Sequence, residues 1–331
     1  MNESQIPTTL VNTLRSHTAP VNAITFSSLG GTYILTGSSD RQVHLSRVEP
    51  VNPDKPSVPI QKYAAHGYAV LDISVAQDNQ TFASVGGDRS VFFWDVQNAT
   101  GTLRRFGSNT SEGHTSRITC VTFAGDSDSV LASGSDDRSV RLWDLKSRDV
   151  KPLMVLEEAK DGVSALAVPG NGYEIVAGSV DGRVRSYDVR MGRVTVDVMP
   201  GPVTSLDITR DAKAVLVGCL DEKLRVMDRT DGTCLRTFPA EGDVAGYKNE
   251  SLRLKSCFAR NEGLVLSGSE LDGKVRGWDV ITGKSVGGMV VSESGKVISV
   301  VKWREGSKVY GTQGLWAAGG AEGVVKIYGG S

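Results

Sequence analysis

A short phrase that returns seven times constrains the fold of this chain more than any other sequence feature. Its clearest copy, GSDDRSVRLWDL at 134–145, places an acidic turn before an alternating segment that ends in Trp-Asp. The other copies lie at 37–48, 86–96, 178–189, 218–229, 268–280 and 319–330. A period of about 40–50 residues with this ending is typical of one four-stranded sheet per repeat, with the sheets arranged radially.

One repeat shows how the four strands follow one another. Residues 118–123 (ITCVTF) alternate and are rich in β-branched side chains, so they predict the innermost strand. The segments 130–133, 139–145 and 151–156 predict the second, third and outer strands. Because this order recurs, we predict an all-β, seven-bladed β-propeller that forms a single domain over residues 1–331. The predicted blades are 17–64, 66–106, 114–157, 161–198, 201–238, 250–291 and 295–328.

The last repeat lacks a fourth strand. Its predicted strands are 297–303, 315–318 and 324–328, and the chain then ends. An additional alternating segment, TTLVNTL at 8–14, precedes the first repeat. We therefore predict that residues 8–14 supply the outer strand of the last blade and close the ring, since closure covers sheet edges that would otherwise be exposed.

Composition excludes several classes of function. The net charge of −1 gives no general attraction to nucleic acid or to an anionic membrane. No apolar run approaches the roughly 20 residues needed to span a bilayer, and the N-terminus lacks the pattern of a secretory signal. Four cysteines without metal-ligand spacing predict reduced, structural thiols in an intracellular protein. We expect no metal, no cofactor and no membrane association.

The acidic turn residue has a structural role that the repeat itself suggests. A carboxylate at this position can orient a His that precedes the innermost strand, and the His can reach a Ser or Thr on the second strand, which can bond a Trp on the third. The second and third repeats carry all four residues, and the first repeat carries three of them. These are His66, Ser84, Asp88 and Trp94; His114, Ser133, Asp137 and Trp143; and His17, Thr36 and Asp40.

The same Ser, His and Asp side chains resemble a hydrolase triad. Against that interpretation, they recur in register with the repeat, and the Ser lies inside a strand with no strand-to-helix turn to expose it. No metal-binding motif and no phosphate-binding glycine loop accompanies them. We therefore interpret them as a structural network, predict that the chain is not an enzyme, and expect no small-molecule substrate.

Several residues are candidates for binding a partner. Basic residues follow the turn acid in six of the seven repeats, and a ring of like charges can bind acidic or phosphorylated segments. Tyr68, Arg117 and Asp161 lie just before innermost strands, and Tyr and Arg are typical of binding hot spots. The irregular segments 49–59, 107–113 and 241–250 are either recognition loops or tolerated insertions. The six basic residues are Arg41, Arg89, Arg138, Arg183, Lys223 and Lys274.

The repeat phrase resembles that of WD40 propellers over the whole chain. A narrower resemblance rests on HGYAVLD at 66–72, LEEAKDGVS at 156–164 and AGSVDGRVRSYDVRMG at 177–192. These segments are similar to those of the mitogen-activated protein kinase organizer family of single-domain WD40 scaffolds. That resemblance implies a non-enzymatic scaffold associated with kinase-cascade components and with spliceosomal complexes, in the nucleus and the cytoplasm.

Three classes of function therefore compete. The first is a protein-interaction scaffold, for which we expect a subunit of a pre-mRNA splicing complex, with a scaffold for mitogen-activated protein kinase cascade components as the alternative. The second is direct RNA binding, supported only by the basic ring and opposed by the low aromatic content. The third is an enzyme, which the missing catalytic motifs oppose. We expect partners that are spliceosomal proteins or kinase-cascade components.

Overall fold

Within the residues that it describes, the computed structural model contains seven antiparallel sheets of four strands each. The described residues are 6–28, 30–50, 57–107, 112–240, 246–306 and 314–330. The first strand of each sheet packs against the first strands of the two neighbouring sheets, and the seventh sheet packs against the first. The prediction of a seven-bladed β-propeller is therefore confirmed.

The strands follow the chain blade by blade. Blade 1 contains β2 (Val21–Phe26), β3 (Tyr33–Ser38), β4 (Val43–Arg47) and β5 (Gln61–Tyr63). Blade 2 contains β6 (Val70–Val75), β7 (Thr81–Gly86), β8 (Val91–Asp95) and β9 (Arg104–Phe106). Blade 3 contains β10 (Ile118–Ala124), β11 (Val130–Ser135), β12 (Val140–Asp144) and β13 (Met154–Leu156), with a 3₁₀ turn at Asp126–Asp128.

The remaining blades keep this order. Blade 4 contains β14 (Val163–Ala167), β15 (Glu174–Ser179), β16 (Arg183–Asp188) and β17 (Arg193–Val198). Blade 5 contains β18 (Val203–Ile208), β19 (Ala214–Cys219), β20 (Lys223–Asp228) and β21 (Cys234–Phe238). Blade 6 contains β22 (Cys257–Ala259), β23 (Leu264–Gly268), β24 (Lys274–Asp279) and β25 (Ser285–Val290). Blade 7 contains β26 (Val300–Arg304), β27 (Leu315–Gly319) and β28 (Val325–Gly329), and its outer strand is β1 (Thr9–Leu14).

The N-terminal strand closes the ring, as the sequence predicts. β1 pairs antiparallel with β28, and Leu14 lies opposite Val325. Just before β1, the Pro7 carbonyl accepts a 2.8 Å hydrogen bond from the Trp316 indole, and Ile6 packs into the core between blades 6 and 7. The outer edge of β28 is therefore covered by the beginning of the chain.

The core lies between neighbouring blades rather than within one. One buried cluster combines Val85 and Phe106 of blade 2 with Ile118 and Trp143 of blade 3. Alternation in each strand produces this arrangement, because successive side chains face the two adjacent blades. Each blade thus depends on its neighbours for burial of its apolar side chains.

A bulge near the start of the innermost strand occurs in blades 1 to 5. Bulges redirect the extra side chain, and the five residues at these positions line one end of the channel that the seven innermost strands surround. Several of them, and Ser299 of blade 7, donate hydrogen bonds to a carbonyl of the next blade. This series of contacts ties adjacent blades together around the channel. The five residues are Asn22, Leu71, Thr119, Ser164 and Thr204.

All four cysteines are free thiols. Burial raises the pKa of Cys120, Cys219 and Cys257 to about 12, so these thiols remain protonated. Cys234 lies exposed on β21. In the described part of the chain, no helix is long and apolar enough to cross a membrane.

Candidate functional site

One face of the ring carries both the acidic turns and the loops that lead into the innermost strands. In blade 2, His66 precedes β6 and its Nδ1 donates to Asp88 Oδ2 in the turn between β7 and β8, at 2.6 Å. Such a bond requires the loop and the turn to lie on the same face. We call this the top face, and it holds the basic and aromatic candidates from the sequence.

The buried side chains beneath the top face form a continuous hydrogen-bonded chain in blades 2 and 3. In blade 2, His66 Nε2 lies 2.7 Å from Ser84 Oγ, which accepts a 2.8 Å bond from the Trp94 indole. The corresponding distances in blade 3 are 2.9 Å from His114 to Asp137, 2.9 Å from His114 to Ser133 and 2.8 Å from Trp143 to Ser133.

This network is buried, which decides its chemistry. Ser84 and Ser133 have no exposed surface, so neither hydroxyl is accessible to a substrate. Burial lowers the pKa of His114 in spite of its bond to Asp137. Burial opposes ionisation of Asp137, but the bonds from His114, Ser139 and the Thr115 N–H outweigh it and hold the pKa of that carboxyl well below its usual range. The hydrogen bond between a neutral His and an ionised Asp therefore holds the loop before the innermost strand against the acidic turn on the top face.

Blade 1 carries a variant of this network. His17 bonds Asp40 and Thr36, each at 2.8 Å, and Ser46 stands where the other two blades have Trp. His44, on β4, stacks on His17 with ring centroids 4.0 Å apart. Its own ring nitrogens lie 2.9 Å from Ser16 Oγ and from Gln42 Oε1.

Blades 4, 5 and 6 replace the His by an Arg on the third strand. In blade 4, Arg185 reaches back four residues to Asp181, with Nη2 to Oδ2 at 2.6 Å and Nη1 to Oδ1 at 3.3 Å. Both side chains are at most 6% exposed. Arg225 with Asp221 and Arg276 with Asp272 repeat this two-pronged geometry. These arginines were not identified from the sequence. The pattern that could have identified them is an Arg two residues before the aromatic residue or Met of the repeat phrase.

The six predicted basic residues occupy two different positions. Arg41, Arg89 and Arg138 directly follow the turn acid, are exposed and have positive φ. Arg183, Lys223 and Lys274 come one residue later, at the start of the third strand, and are half-buried. Arg183 also lies 4.0 Å from Asp181. The basic ring is therefore not uniform, because its two halves present their charges differently.

Tyr68 lies on the top face of blade 2 with 64% of its surface exposed. A Cβ added at Gly87 would lie only 2.7 Å from the Cβ of Tyr68. Because Gly87 has no side chain, Tyr68 packs directly over the turn that carries Asp88 and Arg89.

Asp136 connects three loops of the top face. It accepts from Arg117 Nε, and Arg253 of the loop before blade 6 donates to it at 2.9 Å. Gly162, which enters blade 4, lies close against it, and the neighbouring Asp161 is exposed. Arg117, Gly162 and Arg253 thus meet at Asp136, although Arg253 lies far from it in the sequence.

The loop before blade 6 crosses the mouth of the central channel. Lys255 Nζ bonds Asp72 Oδ1 at 2.6 Å and the Leu71 carbonyl at 3.0 Å, both in blade 2 on the other side of the ring. A cavity of about 420 Å³ lies at this mouth, between Leu252, Arg253 and the bulged residues of the innermost strands. The mouth is therefore covered on one side by residues of blade 6.

Parts of the three irregular segments lie outside the described residues. These parts are 51–56 of segment 49–59, 108–111 of segment 107–113 and 241–245 of segment 241–250. In the last segment, Tyr247 is buried against Trp278, and its hydroxyl lies 3.2 Å from Ser267 Oγ. Residue 247 therefore belongs to the blade 6 core rather than to a recognition surface.

Across the described residues, no cluster of three or more His, Cys, Asp or Glu side chains has the arrangement of a metal site. The top face instead offers exposed guanidinium groups, one exposed aromatic ring and a partly covered channel mouth. Such a surface can bind a protein segment.

Comparison with known proteins agrees with the repeat. The profile of the WD domain, G-beta repeat family matches residues 8–45, 57–95, 107–144 and 150–188. The WD repeat domain-containing protein 83 homolog of Dictyostelium discoideum is 30% identical over 297 residues, which cover 82% of this chain and 85% of that protein.

Two vertebrate proteins named WD repeat domain-containing protein 83 are also similar. The Xenopus tropicalis protein is 35% identical over 282 residues, covering 85% of this chain and 82% of that protein. The Rattus norvegicus protein is 42% identical over 138 residues, covering 42% of this chain and 41% of that protein. The similarity extends over most of the ring in two of these three relatives.

Proposed function

Because the chain belongs to the family of WD repeat domain-containing protein 83, a family of WD40 β-propellers, we propose that it is a non-enzymatic scaffold for components of a mitogen-activated protein kinase cascade. The observation that carries this proposal is the family match along most of the ring. It is supported by the resemblance of residues 156–192 to the kinase organizer family. Those residues run from the end of β13 through the entry loop and the three inner strands of blade 4 to the exposed turn before β17.

The geometry supports a scaffold in a physical sense. Interblade hydrogen bonds such as Asn22 to Val70 O at 2.8 Å and Ser299 to Val21 O at 2.8 Å hold neighbouring blades in fixed positions. A preorganised surface loses little conformational entropy on binding. Two partners held on one ring also gain from their raised effective concentration.

The splicing function that we expected first has less support. No contact or surface of the described residues favours a spliceosomal partner over a kinase, so splicing is kept as an outcome of the test. We propose that the protein is present in both the nucleus and the cytoplasm, the distribution that the kinase organizer resemblance implies.

Affinity purification from separate nuclear and cytosolic extracts tests this proposal. The tagged full chain is treated with nuclease before elution, and bound proteins are identified by mass spectrometry. We expect two or more kinase-cascade components to be enriched over a tagged unrelated propeller. Enrichment of spliceosomal proteins without kinases would overturn the proposal in favour of a splicing subunit.

A further inference from the structure

The residue directly after the turn acid divides the ring into two sectors. In all seven blades it adopts the left-handed conformation, with φ between 57° and 73°. Three consecutive blades carry Arg at this position, whereas the other four carry Gly or Glu. The seven residues, from blade 1 to blade 7, are Arg41, Arg89, Arg138, Gly182, Glu222, Gly273 and Gly323.

The fold itself does not require Arg at this position. A left-handed φ suits Gly because it lacks Cβ, and any other residue adopts it at a cost. Gly182, Gly273 and Gly323 show that the same turn forms with Gly in three blades. Non-Gly residues held in this region are concentrated at functional sites, so the three arginines point to a role other than folding.

The three side chains are available for a ligand. Arg41, Arg89 and Arg138 are exposed, and within the described residues none of the three has a hydrogen bond or ion pair from its side chain. We call these three residues the arginine arc. A guanidinium group binds carboxylate and phosphate oxygens through paired hydrogen bonds.

The opposite sector of the top face has another character. Glu222 of blade 5 pairs with Lys248, which also bonds Glu250 at 2.8 Å. Glu270 accepts the backbone N–H groups of residues 250–252. The acidic side chains of blades 5 and 6 thus face the same side as the arginine arc, across the channel mouth.

Tyr68 adds an apolar contact beside the arginine arc. Its exposed ring lies over Gly87, in the turn that carries Arg89. An exposed Tyr next to Arg is a combination typical of binding hot spots. A segment that contacts Arg89 would therefore also meet the Tyr68 ring.

We propose that the arginine arc and Tyr68 form a docking surface for an extended, negatively charged segment of a protein partner. The segment lies over blades 1 to 3, because the arginines of the arc are exposed, whereas the basic residues near the same turn in blades 4 to 6 are half-buried. Its charges are carboxylates or phosphate groups, which the guanidinium groups bind in the same way.

A protein segment fits this surface better than RNA does. Each arc arginine is preceded by a carboxylate, Asp40, Asp88 or Asp137, so the positive charge is local rather than continuous. Nonspecific RNA binding uses a continuous basic groove with several stacking aromatics. Among the described residues of blades 1 to 3, the exposed aromatic rings are Tyr68 and Tyr33, and Tyr33 begins β3 at the end of that strand away from the top face. The inference rests on the proposed scaffold function, whose partners it describes chemically.

Replacing each arginine of the arc by Gly, which three other blades carry at this position, separates an effect on binding from an effect on folding. The variant R41G/R89G/R138G removes three charges and places Gly where φ is positive. We expect its melting temperature to equal or exceed that of the wild type, because Gly relieves the left-handed strain. The matched control R183A/K223A/K274A removes three charges from the same face in blades 4 to 6.

Fluorescence polarisation with defined probes measures binding to the full chain. The probes are a fluorescein-labelled octaglutamate peptide, a peptide of alternating phosphoserine and glycine of the same length, a neutral octaglutamine peptide and oligouridine. We expect the wild type to bind a charged peptide, the arc variant to bind it at least about tenfold more weakly, and the control variant to change it less than about threefold. The stronger of the two charged peptides identifies carboxylate or phosphate as the ligand group.

Three results would overturn the inference. These are no binding of either charged peptide by the wild type, equal losses in the arc and control variants, or oligouridine binding as tight as that of the peptides. If the arc variant loses the peptides but kinases still co-purify with the wild type, both proposals stand. If kinases are absent while the arc still binds the peptides, only the kinase assignment fails.

Discussion

The rings of His17 and His44 stack with their centroids 4.0 Å apart and their planes 5° apart. Burial lowers the pKa of both, and burial together with the nearby His17 lowers the pKa of His44 to about 4, from an ordinary value of 6.5. A stacked pair of imidazoles cannot easily carry two charges. This contact therefore links the stability of blade 1 to pH.

The first prediction follows from the sign of these shifts. Since the folded state holds His44 neutral, the stabilisation is complete above pH 6.5 and is lost as the pH falls towards about 4. We expect the free energy of unfolding, measured with urea, to fall over that range. In blade 2, Phe92 packs on His66 at the position of His44, so the variant His44→Phe should fold and show a weaker pH dependence. An unchanged dependence in that variant would contradict this assignment.

The second prediction concerns the buried ion pair of blade 4. Asp181→Ala leaves Arg185 buried without its carboxylate, and breaking a buried pair in this way costs about 3–5 kcal/mol. Urea denaturation measures the loss. Lys151→Ala is the matched control, because its 3.5 Å contact with Glu112 is more than half exposed and should contribute less than about 1 kcal/mol. Equal losses in the two variants would show that Asp181 and Arg185 are not a buried pair.

The third prediction distinguishes a structural His from a catalytic one. His114→Ala removes a buried ring that bonds Asp137 and Ser133 and leaves both polar groups without it. We expect a loss of about 1–3 kcal/mol, the typical cost of leaving buried polar groups unsatisfied. Thermal melting measures it, and an unchanged melting temperature would count against a buried network. Lys160→Ala, at an exposed site, serves as the control.

The fourth prediction concerns ring closure. Deletion of residues 1–15 removes β1, the buried Leu14 and the Pro7 carbonyl that Trp316 bonds. It also exposes the edge of β28, which is a site for edge-to-edge association. We expect a lower melting temperature and aggregation in light scattering. A milder variant, Leu14→Ala, should cost about 2–5 kcal/mol, and a truncated chain that melts like the full chain would refute closure by this strand.

The repeat made the sheets predictable because strand period, turn acid and Trp-Asp ending all recur locally. Residues 8–14 could be assigned to the last blade because that blade had three predicted strands and needed a fourth. The buried role of Arg185 was not predictable in the same way, because an Arg in an alternating strand usually faces solvent. It is held inside by its bonds to Asp181, four residues earlier, and to Ser179.

Contacts between residues on different sides of the ring leave no recognisable pattern in the local sequence. Arg253 bonds Asp136 and Lys255 bonds Asp72, and the partners are 117 and 183 positions apart in the sequence. Their meeting follows from the arrangement of seven blades in a circle rather than from any motif. The difference between the arginine arc and Arg183, Lys223 and Lys274 was also hidden, because a shift of one residue decides whether a side chain lies in the turn or in the strand.

We propose that one ring binds two components of a kinase cascade at the same time. Size-exclusion chromatography with multi-angle light scattering tests it directly, with the full chain and the two kinases recovered most strongly by affinity purification. We expect a ternary complex whose mass equals one ring plus one copy of each kinase. Displacement of one kinase by the other, with only binary complexes at every ratio, would contradict it.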